Sequence, residues 1–571
     1  MTSSKQRIVV VGGVAGGAST AARIRRLDES AEIIIFERGE HVSYSNCCLP
    51  YYLSGTVADS EALIMMEPED FRKRFNIEVQ TGAEVIAIDR EAKTVTVKYA
   101  ASGETTVRSY DKLMLSPGAN PIVPRSITGT DRPNVFTIRN VMDVRRIKTY
   151  LDHTGAKQVL VAGGGFIGIE TAENLRLAGI QVTLVEMAPQ ILQPFDNDMV
   201  QMLHHELDKN GIELLLNTRL LAIDDDGGLV EKQGQRLKVP ADAVIMALGT
   251  APETQLAKAA GLALGAHGGI RVNGNYQTSD PDIYAVGDAV EVFLAQQRCE
   301  GRLALAGPAQ MAARHAADHI CGRPSENPGF ISAFCLRVFS QNAAAVGLTE
   351  AGAKQAGIAC DSVTVFPADR VSIMPDCHYL ALKLIFEVPT GVLLGAQAIG
   401  MGDAVGRMNV VAALLRKHGT VDDLRDLNLC YSPVYSTAKD PLNQAALVAR
   451  NILDGTIHQV HTAEVRGLVE RGAYILDVRE PGEFAAGHLN GAHNLPLSQL
   501  RNRMNEVPRD VPVYIHCRSS QRSYYAVCFL QGNGYRNVYN ISGSYLGISL
   551  YEAFTDKSEG RTPILDNYNF N

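Results

Sequence analysis

Apolar residues in the first third of the chain fall into short unbroken runs separated by glycine-rich and charged stretches. Arg7 to Val11 (RIVVV) and the run in AEIIIFERG predict two strands, with the segment GGVAGGASTAARIRRL forming a glycine turn and a helix between them. The same order returns in QVLVAGGGFIGIETAENLRLAG followed by QVTLVEMAP. Near the C-terminus a third alternation begins after a helix ending near Asp454-Gly455: an apolar strand from Val511 to Ile515 leads through HCRSSQRS to a helix from Ser523 to Leu530. Strands alternating with helices predict an α/β architecture of parallel sheets.

The two glycine turns carry specific chemistry. Glycines let the backbone approach a pyrophosphate, the helix N-terminus attracts its charge, and an acid about 20 residues on takes ribose hydroxyls. In the first unit Gly12, Gly16 and Gly17 are present, Val14 stands where the middle glycine of G-x-G-x-x-G would fall, and Glu37 closes the second strand. In the second, Gly163, Gly165 and Gly168 fill all three positions and Glu186 ends the next strand. An acid at that place repels a 2′-phosphate, which favours NADH over NADPH.

Size and charge narrow the class. A chain of 571 residues exceeds what one core fills, so several domains are expected. Apolar content of 46% and charge of 20% fit a soluble globular protein, and a net charge of -8 gives no reason to expect nucleic acid. No apolar run is long enough to span a membrane, and with a strand at Arg7 no signal peptide is expected. Ten cysteines at this length lack the density of a disulfide scaffold, so most are expected to be buried thiols in a reducing cytoplasm. With no CxxC and no zinc-like spacing, no metal is expected.

Further motifs give the units a family likeness. TSDPDIYAVGDAV, with Gly287 and Asp288, resembles the second flavin-contact motif of flavoproteins with two dinucleotide-binding domains. LSPGANP, with Gly118, resembles their crossover segment, and the order of the motifs implies FAD at the first unit and NADH at the second. The segment YSNCCLPYY lacks the CxxxxC pair of many disulfide reductases and resembles the single-cysteine branch, most closely the coenzyme A disulfide reductase family. That likeness covers roughly residues 5 to 450 and includes DLNLCYSPVYSTAKDPLNQAALVARN. It implies that Cys47 is the redox thiol, that Arg26, Ser43 and Asn46 contact coenzyme A, and that Tyr431 and Tyr435 reach the opposite subunit of a homodimer. A lone thiolate attacks a disulfide or persulfide, and reduced flavin resolves the product, so no second protein thiol is needed. Such a thiol needs a depressed pKa, which oxidised flavin and a nearby helix N-terminus could supply.

Two departures from the family pattern stand out. Cys48 occupies a place usually held by Gly or Ala, and is read as space-filling in preference to a second redox thiol or half of a vicinal disulfide. The family's H-A-x-Y-Y-P tyrosine pair corresponds here to Arg370-Val371-Ser372-Ile373-Met374-Pro375, which lacks a hydroxyl near the sulfur chemistry.

The C-terminal pattern AYILDVREPGEFAAGHLNGAHNLPLSQL, with VPVYIHCRSSQRS and the Gly543 turn, resembles a rhodanese domain over roughly residues 458 to 560. Asp477, Arg479, Glu483, His488, Gly491 and Ala492 are expected to order that fold. The loop from Cys517 to Arg522 should wrap successive N–H groups around the thiolate, aided by a helix dipole, Arg518 and Arg522, and so stabilise a persulfide. The stretch from Glu559 to Asn571 is expected to be a flexible surface tail.

The expected layout is an α/β protein: FAD domain at 1–118 and 245–325, NAD(H) domain at 119–244, dimerisation domain at 326–455, and rhodanese domain at 458–560. The leading expectation is an NADH-dependent reductase of persulfides, polysulfides or coenzyme A persulfide that releases sulfide, with Cys517 presenting sulfane sulfur to Cys47. The rivals are coenzyme A disulfide reduction with an independent sulfurtransferase, an NADH oxidase or peroxidase cycling Cys47 through sulfenic acid, and a non-enzymatic redox sensor.

Overall fold

Strand Arg7–Val11 forms where the sequence places it, and its near-continuous apolar character follows from burial on both faces, with Val9 and Val10 almost fully covered. The computed structural model describes residues 5–570, which divide into two units: 5–189 with 215–330, and 190–214 with 331–570.

In the first unit a five-stranded sheet runs in the order Ile283–Ala285, Lys112–Leu115, Arg7–Val11, Glu32–Phe36, Glu78–Gln80. Every neighbouring pair is parallel, with Ile8 opposite both Ile33 and Lys112. The outermost strand, Ile283–Ala285, lies far along the chain from its partner, because the second dinucleotide fold is inserted between them. In that fold strand Gln158–Ala162 lies between Gln181–Val185 and Ala243–Met246, again parallel. Short antiparallel strands Ala119–Pro121 and Thr250–Pro252 carry the chain out to the insertion and back.

The second unit holds two sheets of opposite character. The first is antiparallel, in the order Ala333–Val338, Gln341–Gly347, Leu393–Gly400, Leu380–Glu387, Cys360–Val365. Helices Ala404–Leu415 and Pro441–Leu453 contribute Val411, Leu415, Ala445 and Ala449 to its core. Pro441 at the first turn and the Asp440 cap explain why the second helix starts there, since neither missing N–H nor fixed φ is costly at that place. The second sheet is parallel: Gln459–Val460, Val538–Ile541, Val513–His516, Tyr474–Asp477, His493–Asn494.

A buried charge cluster lies within this unit. The Lys383 ammonium, 2% exposed, stands 2.8 Å from Asp198 Oδ1, 3.0 Å from Glu350 Oε2 and 3.4 Å from Asp196 Oδ2. Burial works to lower the Lys383 pKa, but the three carboxylates hold it above its ordinary value.

Two expectations fail. The segment after Glu559 is bound rather than loose: Ile564 and Leu565 are buried, Tyr545 Oη donates to the Asn567 carbonyl at 2.5 Å, and Tyr568 Oη to Asp556 at 2.6 Å. Asn571 lies outside the described residues. The cysteines are also not mostly buried; Cys517 is buried, whereas Cys47, Cys299, Cys335 and Cys430 are exposed. Sulfur was taken as a core filler, but these four sit on loops and exposed strand positions. Among the described residues no helix is long and apolar enough to cross a membrane.

Candidate active sites

The glycine turns of the first unit are built alike. Gly12 holds φ +91° and Gly163 φ +110°, and a Cβ on either would lie within 2.2 Å of a carbonyl, Ser116 or Ala247 respectively. Only glycine fits such a turn. Gly17 and Gly168 allow helix and turn to close, since a Cβ there would lie 1.9 Å from the Gly12 or Gly163 carbonyl oxygen. Gly16 faces Ser116 Oγ, which a Cβ would meet at 2.6 Å. Val14 caps helix Ala15–Leu27 at φ -99°, so its φ is not in the left-handed region that would call for glycine. At Gly165 a Cβ would meet no protein atom, which leaves that side open to a ligand.

Glu37 and Glu186 also match. Glu37 accepts from Gly13 N–H and Gly39 N–H, each at 2.8 Å; Glu186 accepts from Gly164 N–H at 2.6 Å and Ala188 N–H at 2.7 Å. Each carboxylate fastens its own glycine turn and keeps lone pairs for further donors.

A cavity of about 510 Å³ opens over the first turn. Gly12, Gly16, Glu37, Gly118, Gly287 and Asp288 line it together with Val14, Tyr44, Asn46 and Arg139. Burial pushes the Asp288 pKa up, with Arg302 opposing. A polar-ended, glycine-floored cleft of this size fits a flavin dinucleotide.

Cys47 lies beside this cleft in the turn Asn46–Cys48, directly before helix Leu49–Leu53. It is exposed, Cys48 is half-buried, and both are free thiols. The expected lowering of its pKa does not come from the protein: desolvation pushes the Cys47 thiol up, as do Glu170, Cys48 and Asp288. The helix that follows, Leu49–Leu53, is only five residues long.

Sequence reasoning missed Glu170. It stands on helix Phe166–Leu177, two residues past Gly168, and accepts from Tyr51 Oη at 3.3 Å. Burial pushes its pKa up to about 7, with Tyr51 opposing and Glu173 adding to the rise. The available signal was an acid near the N-terminal end of a dinucleotide-binding helix, where a pyrophosphate discourages negative charge. Of the residues expected to meet coenzyme A, Asn46 lines the cleft, Ser43 holds φ +49° in the loop before it, and Arg26 is exposed at the end of helix Ala15–Leu27.

In the second unit Tyr431 and Tyr435 are exposed, 50% and 77%, on the loop before helix Pro441–Leu453. Cys517 directly follows strand Val513–His516 and is buried, with its loop closing at Ser520, φ +74°, before helix Gln521–Gly532. Arg522 is held by Glu483 at 2.6 Å, and the Arg518 guanidinium stands 5.7 Å from the centre of the Tyr379 ring. Arg522 still feels the charge of Cys517, and Arg518 keeps a buried Nη2 without a hydrogen-bond partner, so both cations can act on the loop alongside its backbone and hydroxyl groups. Asp477 and Arg479 form a buried pair at 2.6 Å, and Arg479 packs over Tyr545.

Nested dinucleotide folds around an unpaired thiol define a redox enzyme working on sulfur. Known proteins agree: a family model described as pyridine nucleotide-disulphide oxidoreductase matches residues 6–313, its dimerisation domain 336–441, and a rhodanese-like domain 461–550. The chain belongs to the pyridine nucleotide-disulphide oxidoreductase family, and carries a rhodanese-like domain behind it. Coenzyme A disulfide reductase of Staphylococcus epidermidis is 33% identical over 443 residues, covering 76% of this chain and 98% of that protein. Two solved structures match almost the whole chain. Reduced CoADR-RHD of Bacillus anthracis is 42% identical with a TM-score of 0.92, covering 97% of this chain and 99% of that one. An NAD-dependent persulfide reductase from A. fulgidus is 32% identical with a TM-score of 0.90, covering 95% and 100%.

Proposed function

We propose that this protein is an FAD-containing, NADH-dependent reductase of persulfides and polysulfides, coenzyme A persulfide among them, that releases sulfide. The observation that carries the reading is one chain holding two thiols in different settings: Cys47 exposed beside the dinucleotide cleft, and Cys517 buried in a loop at a helix start. Gly12, Gly16, Gly17, Glu37, Gly118, Gly287 and Asp288 would hold FAD, and Gly163, Gly165, Gly168 and Glu186 would hold NADH. Bound FAD supplies hydride acceptance from the nicotinamide and delivery of two electrons to sulfur.

The chain's own residues do the rest. The Cys47 thiolate attacks the sulfane sulfur of RSSH, forming Cys47–SSH as RS⁻ leaves. Two electrons and a proton then cleave the new S–S bond, releasing H₂S and restoring the thiolate. Glu170, half-protonated near neutral pH, can hold and return a proton beside this sulfur. Arg26, Ser43 and Asn46 would bind a coenzyme A moiety. Tyr431 and Tyr435 would complete the site of a partner subunit in a homodimer. Cys517 would take sulfane sulfur and present it to Cys47.

A second reading, reduction of coenzyme A disulfide with the rhodanese domain acting separately, is favoured by the Staphylococcus relatives. Anaerobic NADH oxidation on coenzyme A disulfide, coenzyme A persulfide, glutathione persulfide and polysulfide, with sulfide measured, separates the two. Persulfide turnover lost in Cys47→Ser and reduced in Cys517→Ser is expected. Turnover of the disulfide alone would refute the proposal.

A further inference from the structure

The loop around Cys517 has a hydroxyl wall that the chemistry above leaves unused. Ser544 opens helix Ser544–Glu559, is fully buried, and holds φ +50° directly after Gly543 at φ +74°. A residue with a side chain keeps a left-handed backbone only where its surroundings impose it, and such strain gathers at functional sites. Its Oγ accepts the Cys517 N–H at 3.2 Å and lies 4.0 Å from Cys517 Sγ.

Counting protons shows what that hydroxyl can do. Ser520 Oγ and Ser544 Oγ reach the same acceptor, the Ile541 carbonyl, at 3.1 and 3.3 Å, and lie 3.2 Å from each other. Each hydroxyl has one proton to give. When Ser520 donates to Ile541, the Ser544 proton is free to turn to sulfur. Toward a neutral thiol at this distance the gain is slight. Toward a thiolate or persulfide anion it is a charge-assisted bond, strengthened because Ser544 itself accepts the Cys517 N–H. Of the loop arginines, Arg522 is paired with Glu483, while Arg518 stands 5.7 Å from the centre of the Tyr379 ring with a buried Nη2 that has no hydrogen-bond partner.

We propose that Ser544 is a further catalytic residue of the sulfur-transfer site: its hydroxyl turns from the Ile541 carbonyl to the Cys517 sulfur when that sulfur is anionic, while Ser520 keeps the carbonyl satisfied. The step served is attack of Cys517–S⁻ on the outer sulfur of RSS⁻. A Cys517–S–S⁻ bond forms, the R–S bond to that sulfur breaks, RS⁻ leaves, and no net oxidation occurs. The proposal rests on Cys517 being the sulfur acceptor, so its test includes a readout that needs no turnover.

In the full-length holoenzyme, iodoacetamide alkylation of the Cys517 peptide is followed at pH 7 and pH 10 for wild type, Ser544→Gly, Ser544→Ala and Ser520→Ala. Glycine suits the left-handed backbone, so Ser544→Gly keeps the test available if the alanine variant fails to fold. Both Ser544 variants should react about 3–10-fold slower at pH 7 and at the wild-type rate at pH 10. Sulfur loading from polysulfide at pH 7 should fall in step. Ser520→Ala, which ties Ser544 more firmly to Ile541, should show a smaller loss. A wild-type rate for Ser544→Gly at pH 7, or equal slowing at both pH values, overturns the proposal. If alkylation follows the prediction while Cys517→Ser leaves sulfide release unchanged, Ser544 stands and the relay from Cys517 to Cys47 falls.

Discussion

Replacing Glu170 by Gln should loosen the hold of pH on Cys47. Glu170 is near-isosteric with Gln, so Tyr51 keeps an oxygen acceptor. What disappears is a carboxylate whose pKa lies at about 7, raised by burial, and whose charge is among the causes raising the Cys47 pKa. At pH 6 Glu170 is largely protonated and exerts little field. At pH 8 it is largely ionised, and a like charge beside a thiol disfavours the thiolate, adding to the effect of burial. Peptide-resolved alkylation of Cys47 should therefore be about tenfold faster in Glu170→Gln at pH 8 and nearly unchanged at pH 6. The wild-type profile should be broadened between those values, because two coupled groups titrate together, while the variant should follow a single titration. Parallel profiles offset by the same factor at every pH would refute the coupling.

Two other perturbations test the second unit. Lys383→Met leaves Asp196, Asp198 and Glu350 without their shared cation and should cost about 3–5 kcal/mol at pH 8 in denaturant unfolding. Without the cation, burial leaves Asp196 and Glu350 titrating above their unfolded values, so the loss should shrink toward pH 5; an equal loss at both pH values would contradict this. Ending the chain at Glu559 removes the buried Ile564 and Leu565 and should destabilise the rhodanese-like domain by several kcal/mol, about 1.5–3 for each side chain, seen as a lower thermal midpoint. An unchanged midpoint would show that the segment does not brace the fold.

Strands and glycine turns were legible because their causes are local. A β-branched run covered on both faces reads as a strand at Arg7–Val11, and Gly12 or Gly163 is required by its own φ. Cys47 and Cys517 were conspicuous through their neighbours in sequence. Glu170 was not, since its pKa depends on burial against helix Leu49–Leu53, more than a hundred residues earlier. The Lys383 cluster draws its partners from Asp196, Asp198 and Glu350, and no sequence period joins them. The tail was misjudged for the same reason: the burial of Leu565 is set by partners such as Leu489. Ser544 carries no signal in sequence, because its closeness to Cys517 is made by the fold.

The late return of strand Ile283–Ala285 has a consequence for biosynthesis. Its register partner Leu113 leaves the ribosome 170 residues sooner, 283 minus 113, so the open edge of Lys112–Leu115 must wait. Nearly all of the inserted fold is translated during that wait, and a waiting strand edge is where nascent chains pair wrongly. Asp288 follows the closing strand by three residues after Ala285, so the flavin pocket is completed only as that edge is sealed. Flavin scarcity should then be felt as aggregation during translation, before any loss of turnover by finished enzyme.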